Sequence, residues 1–382
     1  MIMVACSSQE YTTAKLAIQQ SDFAKAAEWL PKAMAVEPDN PEIPVVLGLE
    51  IHAQDGDWKN MVAMFDKAMA IDPDKEIEVR GYFLPVKEQV TMYTDKYFGN
   101  EFNEGVKIHQ KIEDDPENKS EYLETAILHF NNAALINPFH ESSPYGALSD
   151  CYLKIGDKEA ARNAALIAVE KNPESFQANL KAGQILFRAG ASDNLIKRAH
   201  IEGLQEGTPE FETFKRLAIS EDILPYYEKA ASIERSNGKV LQLLAGVYFD
   251  LGEKEKSLEV FNNAISNEDD KNTKADLYFN LGVIHSQMKN FEESEKAFDE
   301  AFYLNEDDYE AALGMARSYE GLGDNYLNGS EGFEKDLDKS ARWYRKAEKK
   351  IKSVMIIDID NKGTYQKTLE LIRYKRDVAE GN

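Results

Sequence analysis

The chain has 382 residues, with 68 Asp plus Glu against 45 Lys plus Arg and a formal net charge of −23. That surplus disfavours nucleic acid and anionic membrane surfaces as direct partners, since both would repel it; it suits solvated acidic faces that keep a long molecule soluble, or a basic partner segment. Two cysteines in a chain of this length exclude a disulfide framework, so stability has to come from packing.

From the N-terminus onward the sequence reads as paired helices punctuated by one recurring turn. Residues 7–74 are regular: Ala26, Leu30 and Ala33 run up to Pro38, Phe65 and Ala68 run up to Pro73, and Gly56-Asp57 marks a turn between paired helices. Residues 75–120 are expected to form an irregular helical segment. Its start, Ile77 to Phe98, is unusually aromatic (Tyr82, Phe83, Tyr93, Tyr97, Phe98) and contains Pro85, which should kink or interrupt a helix. A longer first helix with a packed aromatic seam is expected there, and an adhesive or glycan-stacking patch is the alternative. Between Pro73 and Pro138 the pattern calls for three helices, one of them a weaker helix with Phe102, Gly105 and Ile112 ahead of a regular one with Ala126, Phe130 and Ala133.

Residues 121–175 are regular again, with Gly156-Asp157 and Pro173 as markers. Over 176–237 the pattern decays: Tyr227 and Ala230 recover it, but Arg235 stands where proline is expected. Residues 238–356 return to it with Gly252-Glu253 at a turn and an insertion over 324–336 rich in Gly, Asn and Ser (Asn328, Gly329, Ser330, Gly332). A helix over 364–378 is expected to cap the stack with a polar outer face. The markers return about every 34 residues. Without a Pro/Ser linker anywhere, one continuous stack is a simpler organisation than separate globular domains.

The side chains between the markers make the likeness specific. Tyr145, Leu148, Ser149, Tyr152, Ala161, Ala165, Ala168 and Pro173 sit where the tetratricopeptide repeat has an aromatic, a leucine, a small residue, a tyrosine, further small residues and a proline. Leu241, Leu244, Ala245, Tyr248, Phe261 and Ala264, then Tyr278, Leu281, Gly282, Phe298 and Ala301, repeat the scheme. The chain resembles that family over most of its length. The resemblance implies an all-α solenoid, a right-handed superhelix of antiparallel helix pairs, here with irregular insertions and a C-terminal capping helix. It also implies a non-catalytic scaffold for protein–protein interaction.

In the family the first helices of successive pairs line a concave groove that holds an extended peptide or a partner helix. The matching positions here are Asp150 and Lys154, then Lys181, Gln184 and Arg188, then Gln242 and Phe249, then Phe279, Asn280 and Val283. Basic, amide and aromatic groups together suit backbone hydrogen bonds and side-chain pockets in a protein or peptide ligand. The chaperone-adaptor subfamily grips a C-terminal carboxylate with lysine and asparagine four apart on a regular first helix; only Lys96 and Asn100 have that spacing, and they fall in the irregular segment.

Met1 to Ser8 resembles the end of a bacterial lipoprotein signal, with Val4-Ala5 ahead of Cys6 and Ser7-Ser8-Gln9 behind it. Cys6 would then be acylated and hold the chain at a membrane, each buried methylene adding about 0.8 kcal/mol. The expected placement is the bacterial envelope, at the outer membrane facing periplasm or surface. A soluble cytoplasmic repeat adaptor and a glycan-binding accessory protein are the alternatives.

Catalytic and metal patterns are missing. His52, His109, His129, His140, His200 and His285 never adopt the spacing that puts two ligands on one helical face, and no phosphate-cradling glycine loop with lysine occurs. Asp358-Ile359-Asp360-Asn361-Lys362-Gly363 begins like a calcium loop but has Lys362 at the fifth place and Leu369 at the twelfth, so it reads as a turn. Cys151 reads as a small buried hydrophobe. No cofactor, no metal and no enzymatic turnover are expected.

Overall fold

The computed structural model describes residues 7–137, 143–330 and 332–381. Cys6, Pro138 and His140 therefore lie outside the described residues. The chain divides into two compact units, residues 1–185 and 186–382. The all-α expectation holds, with eighteen α-helices among the described residues and one two-stranded hairpin.

The first unit runs α1 (Gln9–Gln19), α2 (Phe23–Val36), α3 (Glu42–Leu47) with a π-helical continuation over Gly48–His52, and α4 (Trp58–Ile71). Then come strands β1 (Glu76–Val79) and β2 (Tyr82–Pro85), α5 (Val86–Asp114), α6 (Lys119–Ile136), α7 (Ser143–Ile155), α8 (Lys158–Lys171) and α9 (Phe176–Ala189), whose last residues belong to the second unit. The second unit continues with α10 (Asp193–Ile201), α11 (Pro209–Ile233), α12 (Gly238–Asp250), α13 (Lys254–Asn267) and α14 (Lys271–Gln287). It ends with α15 (Phe291–Leu304), α16 (Tyr309–Asn328), α17 (Leu337–Ile357) and α18 (Lys362–Glu380).

The recurring Gly-Asp has a local cause. Gly56 and Gly156 take φ of 69° and 90°, the left-handed region in which a Cβ is strained, and so end one helix. The following Asp57 and Asp157 accept the backbone N–H of Asn60 at 3.2 Å and Ala160 at 2.9 Å and so begin the next. Ser21 and Lys289 occupy the same left-handed place without being glycine, at φ 60° each.

Pairing then follows from size complementarity. α14 packs on α15 and α16 on α17. At Gly282 an added Cβ would stand 2.8 Å from the Phe298 ring, and at Gly323 2.6 Å from that of Tyr344. In the first unit Gly105 meets Phe130 in the same way. Buried hydroxyls tie the second helix to the first in three pairs of the second unit: Ser257 donates to the Ala245 carbonyl, Ser294 to Gly282 and Ser340 to Gly323, each at 2.8 Å. Tyrosines tie one pair to the next, Tyr248 donating to Glu228 at 2.6 Å and Tyr319 to Glu295 at 2.7 Å. Burial and the adjoining carboxylates push both phenols up in pKa.

Three expectations need correction. The segment 75–120 is not helical throughout, and two helices, α5 and α6, take the place of the three expected between Pro73 and Pro138. β1 and β2 pair antiparallel, Ile77 with Leu84 and Val79 with Tyr82, across Arg80 and Gly81 at φ 52° and 82°, the two-residue turn that matches strand twist. The alternation Glu-Ile-Glu-Val, with Ile77 and Val79 buried, is the period-two signal that the aromatic count obscured. Arg80 is held in its unusual backbone by Glu50, which accepts from its guanidinium at 2.7 and 3.0 Å. Second, the insertion is 329–336, not 324–336, because α16 continues to Asn328 and ends at Gly329 with φ 67°. Third, the outer face of the capping helix is not polar throughout: Leu371, Tyr374 and Val378 of α18 are exposed.

The aromatic seam forms where α5 packs: Phe98 stacks on Phe102 at 5.9 Å, Phe102 meets Phe130 at 5.5 Å and Tyr97 meets Trp58 at 5.3 Å. Tyr82 and Phe83, on the hairpin, stay outside it and are exposed. Over 176–237 there are three helices, the third being the 25-residue α11 with Pro225 inside it.

Candidate functional site

In the first unit, the expected groove residues lie on α7 and α9. Lys181 Nζ donates to Asp150 Oδ2 at 2.6 Å, and Lys154 Nζ lies 2.8 Å from Nε2 of His109 on α5. Asp150 and Lys181 also border a cleft of about 320 Å³ with Gly146, Ala147, Ser175 and Gln177. Their side chains are only about one-third exposed, and each already satisfies the other. Burial first, and the Lys154 charge second, hold the His109 imidazole below its ordinary pKa, so the neutral ring that can accept from the ammonium is the favoured form. Gln184, on α9, is half-buried.

In the second unit the expected residues gather around two adjoining clefts. Gln242 and Phe249 of α12, with Asn280 and Val283 of α14, line one of about 570 Å³. Phe279 and Val283 line another of about 380 Å³ on the other side of α14, closed by Leu313, Gly314 and Arg317 of α16. The period of the helix explains the placement: Lys239, Gln242, Gly246 and Phe249 recur at three- and four-residue steps and share one open face of α12, while Leu241, Leu244, Ala245 and Tyr248 face inward and are buried. Phe279 rests edge-on against Phe298 at 5.5 Å, so it forms a wall of its cleft. Asn280 Nδ2 donates to the Asp276 carbonyl at 2.8 Å, so what the side chain has left to offer includes its amide oxygen, an acceptor. Arg188 is exposed at the end of α9 and lines neither cleft.

Four residues of the larger cleft carry no sequence signal for it. Phe187, 60 % exposed, comes from the end of α9; Arg216 comes from the part of α11 where the repeat pattern had decayed; Tyr227, where the pattern recovers, reads in sequence as a packing residue, and Gly246 as one more small residue. Arg216 Nη1 donates to Asp250 Oδ1 at 3.0 Å across the rim.

Elsewhere, side chains serve structure. The Cys151 thiol is buried and pushed up to about 11 by that burial, which removes its nucleophilic form at neutral pH. Asp358 accepts from Asn361 at 3.0 Å and from the Tyr365 hydroxyl at 2.5 Å, so the calcium-like stretch closes a turn. Among the described residues no three His, Cys, Asp or Glu side chains converge on a point, and no helix is long and apolar enough to cross a membrane.

Models of the tetratricopeptide repeat match residues 238–270 and 275–308, which are the pairs α12/α13 and α14/α15, and a second model of the same repeat matches 147–194. No curated protein matches the chain by sequence. Among solved structures, the C-terminal part of a TPR repeat-containing protein from Cytophaga hutchinsonii is 14 % identical, covering 75 % of this chain and 92 % of its own, with a TM-score of 0.41. MamA from Desulfovibrio magneticus RS-1 is 15 % identical over 55 % of this chain and 98 % of its own, at 0.40. YrrB, described as a TPR protein with an unusual peptide-binding site, is 16 % identical over 53 % of this chain and 95 % of its own, at 0.38.

Proposed function

We infer that this chain, a tetratricopeptide-repeat protein and so a protein-interaction scaffold, binds peptide segments on the open faces of α12, α14 and α16. The observation that carries this is the pair of adjoining clefts sharing Val283 and Gln287, one wall of each being a first helix of a repeat pair. Apolar floors with a few amide and charged groups at the rim are what peptide recognition requires: area for side chains and partners for the backbone. A selection from a displayed random-peptide library on the immobilised chain tests it. Peptides enriched by the wild type should lose at least about tenfold in affinity on Gln242→Arg plus Asn280→Arg, which fill the larger cleft with charge. Enrichment unaffected by that pair would place binding elsewhere.

The scaffold is tethered through acyl chains on Cys6 in a bacterial envelope, a reading supported by the likeness of Val4-Ala5-Cys6-Ser7 to the end of a lipoprotein signal. Metabolic labelling with a fatty-acid probe, from the gene with its natural upstream sequence, should mark the wild type and not Cys6→Ala. An unlabelled wild type would leave a soluble cytoplasmic adaptor as the better account.

A further inference from the structure

Resting on the peptide-binding reading of the second unit, we propose that its larger cleft takes a segment in which a bulky apolar side chain is flanked by a carboxylate, with the peptide backbone crossing α12 at Gly246.

The first reason is a glycine without a job inside the fold. Gly282, Gly314, Gly321 and Gly323 are also interior to helices of this unit, and a Cβ at any of them would stand within 2.8 Å of an aromatic ring. Glycine in a helix interior costs about 1 kcal/mol against alanine, and at those four positions the seated ring offsets that cost. At Gly246 an added Cβ meets nothing within 4 Å. The residue is exposed and lines the cleft beside Gln242 and Phe249. Packing within the chain therefore gives no reason for the missing side chain, whereas close approach of another backbone does.

The second reason is charge. Three charged side chains line this cleft: Arg216, Lys239 and Asp250. Arg216 and Asp250 neutralise each other at 3.0 Å. Lys239 makes no hydrogen bond or ion pair with any described residue. The uncompensated charge at the recess is positive, although the whole chain carries −23. A carboxylate beside the exposed Lys239 gains an oppositely charged partner, whereas a ligand cation would meet repulsion. Phe187, Phe249 and Val283 supply the apolar wall, and about 570 Å³ accommodates one large side chain with its flanking backbone.

Fluorescence polarisation with four labelled peptide pools tests the assignment: Phe or Leu flanked by Asp/Glu, the same flanked by Lys/Arg, the same flanked by Ser, and Ser flanked by Asp/Glu. The wild type should bind the acidic apolar pool at least about tenfold tighter than any other. Gly246→Leu, which places a good helix former in open space, should abolish that binding while the helical melt is unchanged or raised. Lys239→Glu should turn the preference toward the basic apolar pool. Equal binding of acidic and neutral apolar pools, untouched by Lys239→Glu, would overturn the carboxylate and leave the peptide reading standing. Tight binding that survives Gly246→Leu would overturn the crossing at Gly246, and failure of every pool would take the peptide reading with it.

Discussion

Gly282→Ala and Gly246→Ala are the same chemical change on neighbouring first helices, and the structure gives them opposite signs. At Gly282 the new methyl would lie 2.8 Å from Phe298 Cδ1 and 2.9 Å from Cε1. Carbon atoms prefer about 3.5–4.0 Å, so the ring has to retreat by most of an ångström. It cannot retreat toward α16, because Gly314 already approaches it so closely that a Cβ there would stand 2.7 Å away. Overpacking of this kind costs about 1–3 kcal/mol, set against a helix-propensity gain of up to ~1 kcal/mol, for a net loss of up to roughly 2 kcal/mol. At Gly246 nothing opposes the new methyl, so the gain of up to ~1 kcal/mol stands alone. A repeat array does not unfold all-or-none, so the readout should be local: native-state hydrogen exchange of the α14 and α15 amides for Gly282→Ala and of α12 and α13 for Gly246→Ala. Protection should fall in the first and rise in the second. Adding Phe298→Leu to Gly282→Ala should recover part of the loss. Equal protection changes in the two single variants would refute the ring-in-notch account of pairing.

Arg80→Ala leaves the buried Glu50 carboxylate without its cation and should cost about 3–5 kcal/mol in urea unfolding of the first unit; Arg80→Gly should do about 1 kcal/mol better, since glycine relieves the left-handed backbone. Lys289→Gly and Ser21→Gly, at φ 60° with no need of their side chains for the turn, should each raise the local melting free energy by up to ~1 kcal/mol, and a fall in thermal stability would count against the turn assignment. His109 is held neutral by burial and by Lys154, so its folded pKa lies below 6.5. The depressed value means that the unfolded chain binds the proton more readily, so the His109 contribution is present above pH ~6.5 and is lost as pH falls through that value toward the folded pKa. An NMR titration should place the His109 midpoint below that of an unfolded peptide, and Lys154→Met should move it upward; an unmoved midpoint would remove Lys154 as a cause.

How much of this was legible beforehand depended on the range of the interaction. The Gly-Asp turns, the small residues facing large rings and the regular pairs at 121–175 and 238–308 follow from contacts within one helix or between neighbours in sequence, so they were written in the chain. Gln242, Phe249, Asn280 and Val283 were pointed to by the resemblance to the repeat family, and helical periodicity accounts for their lying along one cleft. The hairpin was signalled by Glu-Ile-Glu-Val before Arg-Gly, but the Glu50 carboxylate that receives the Arg80 guanidinium at 2.7 Å lies thirty residues away. Arg216 joins the cleft from the stretch of α11 whose sequence departs from the repeat. The difference between Gly246 and Gly282, identical letters on equivalent helices, is decided by whether a ring from another helix fills the space above the backbone. Sequence determined where helices begin, end and turn their apolar sides, because those are short-range choices of backbone and capping. Only the tertiary structure decided which spaces between helices are filled and which are left open, because filling depends on side chains that the chain brings together from a distance.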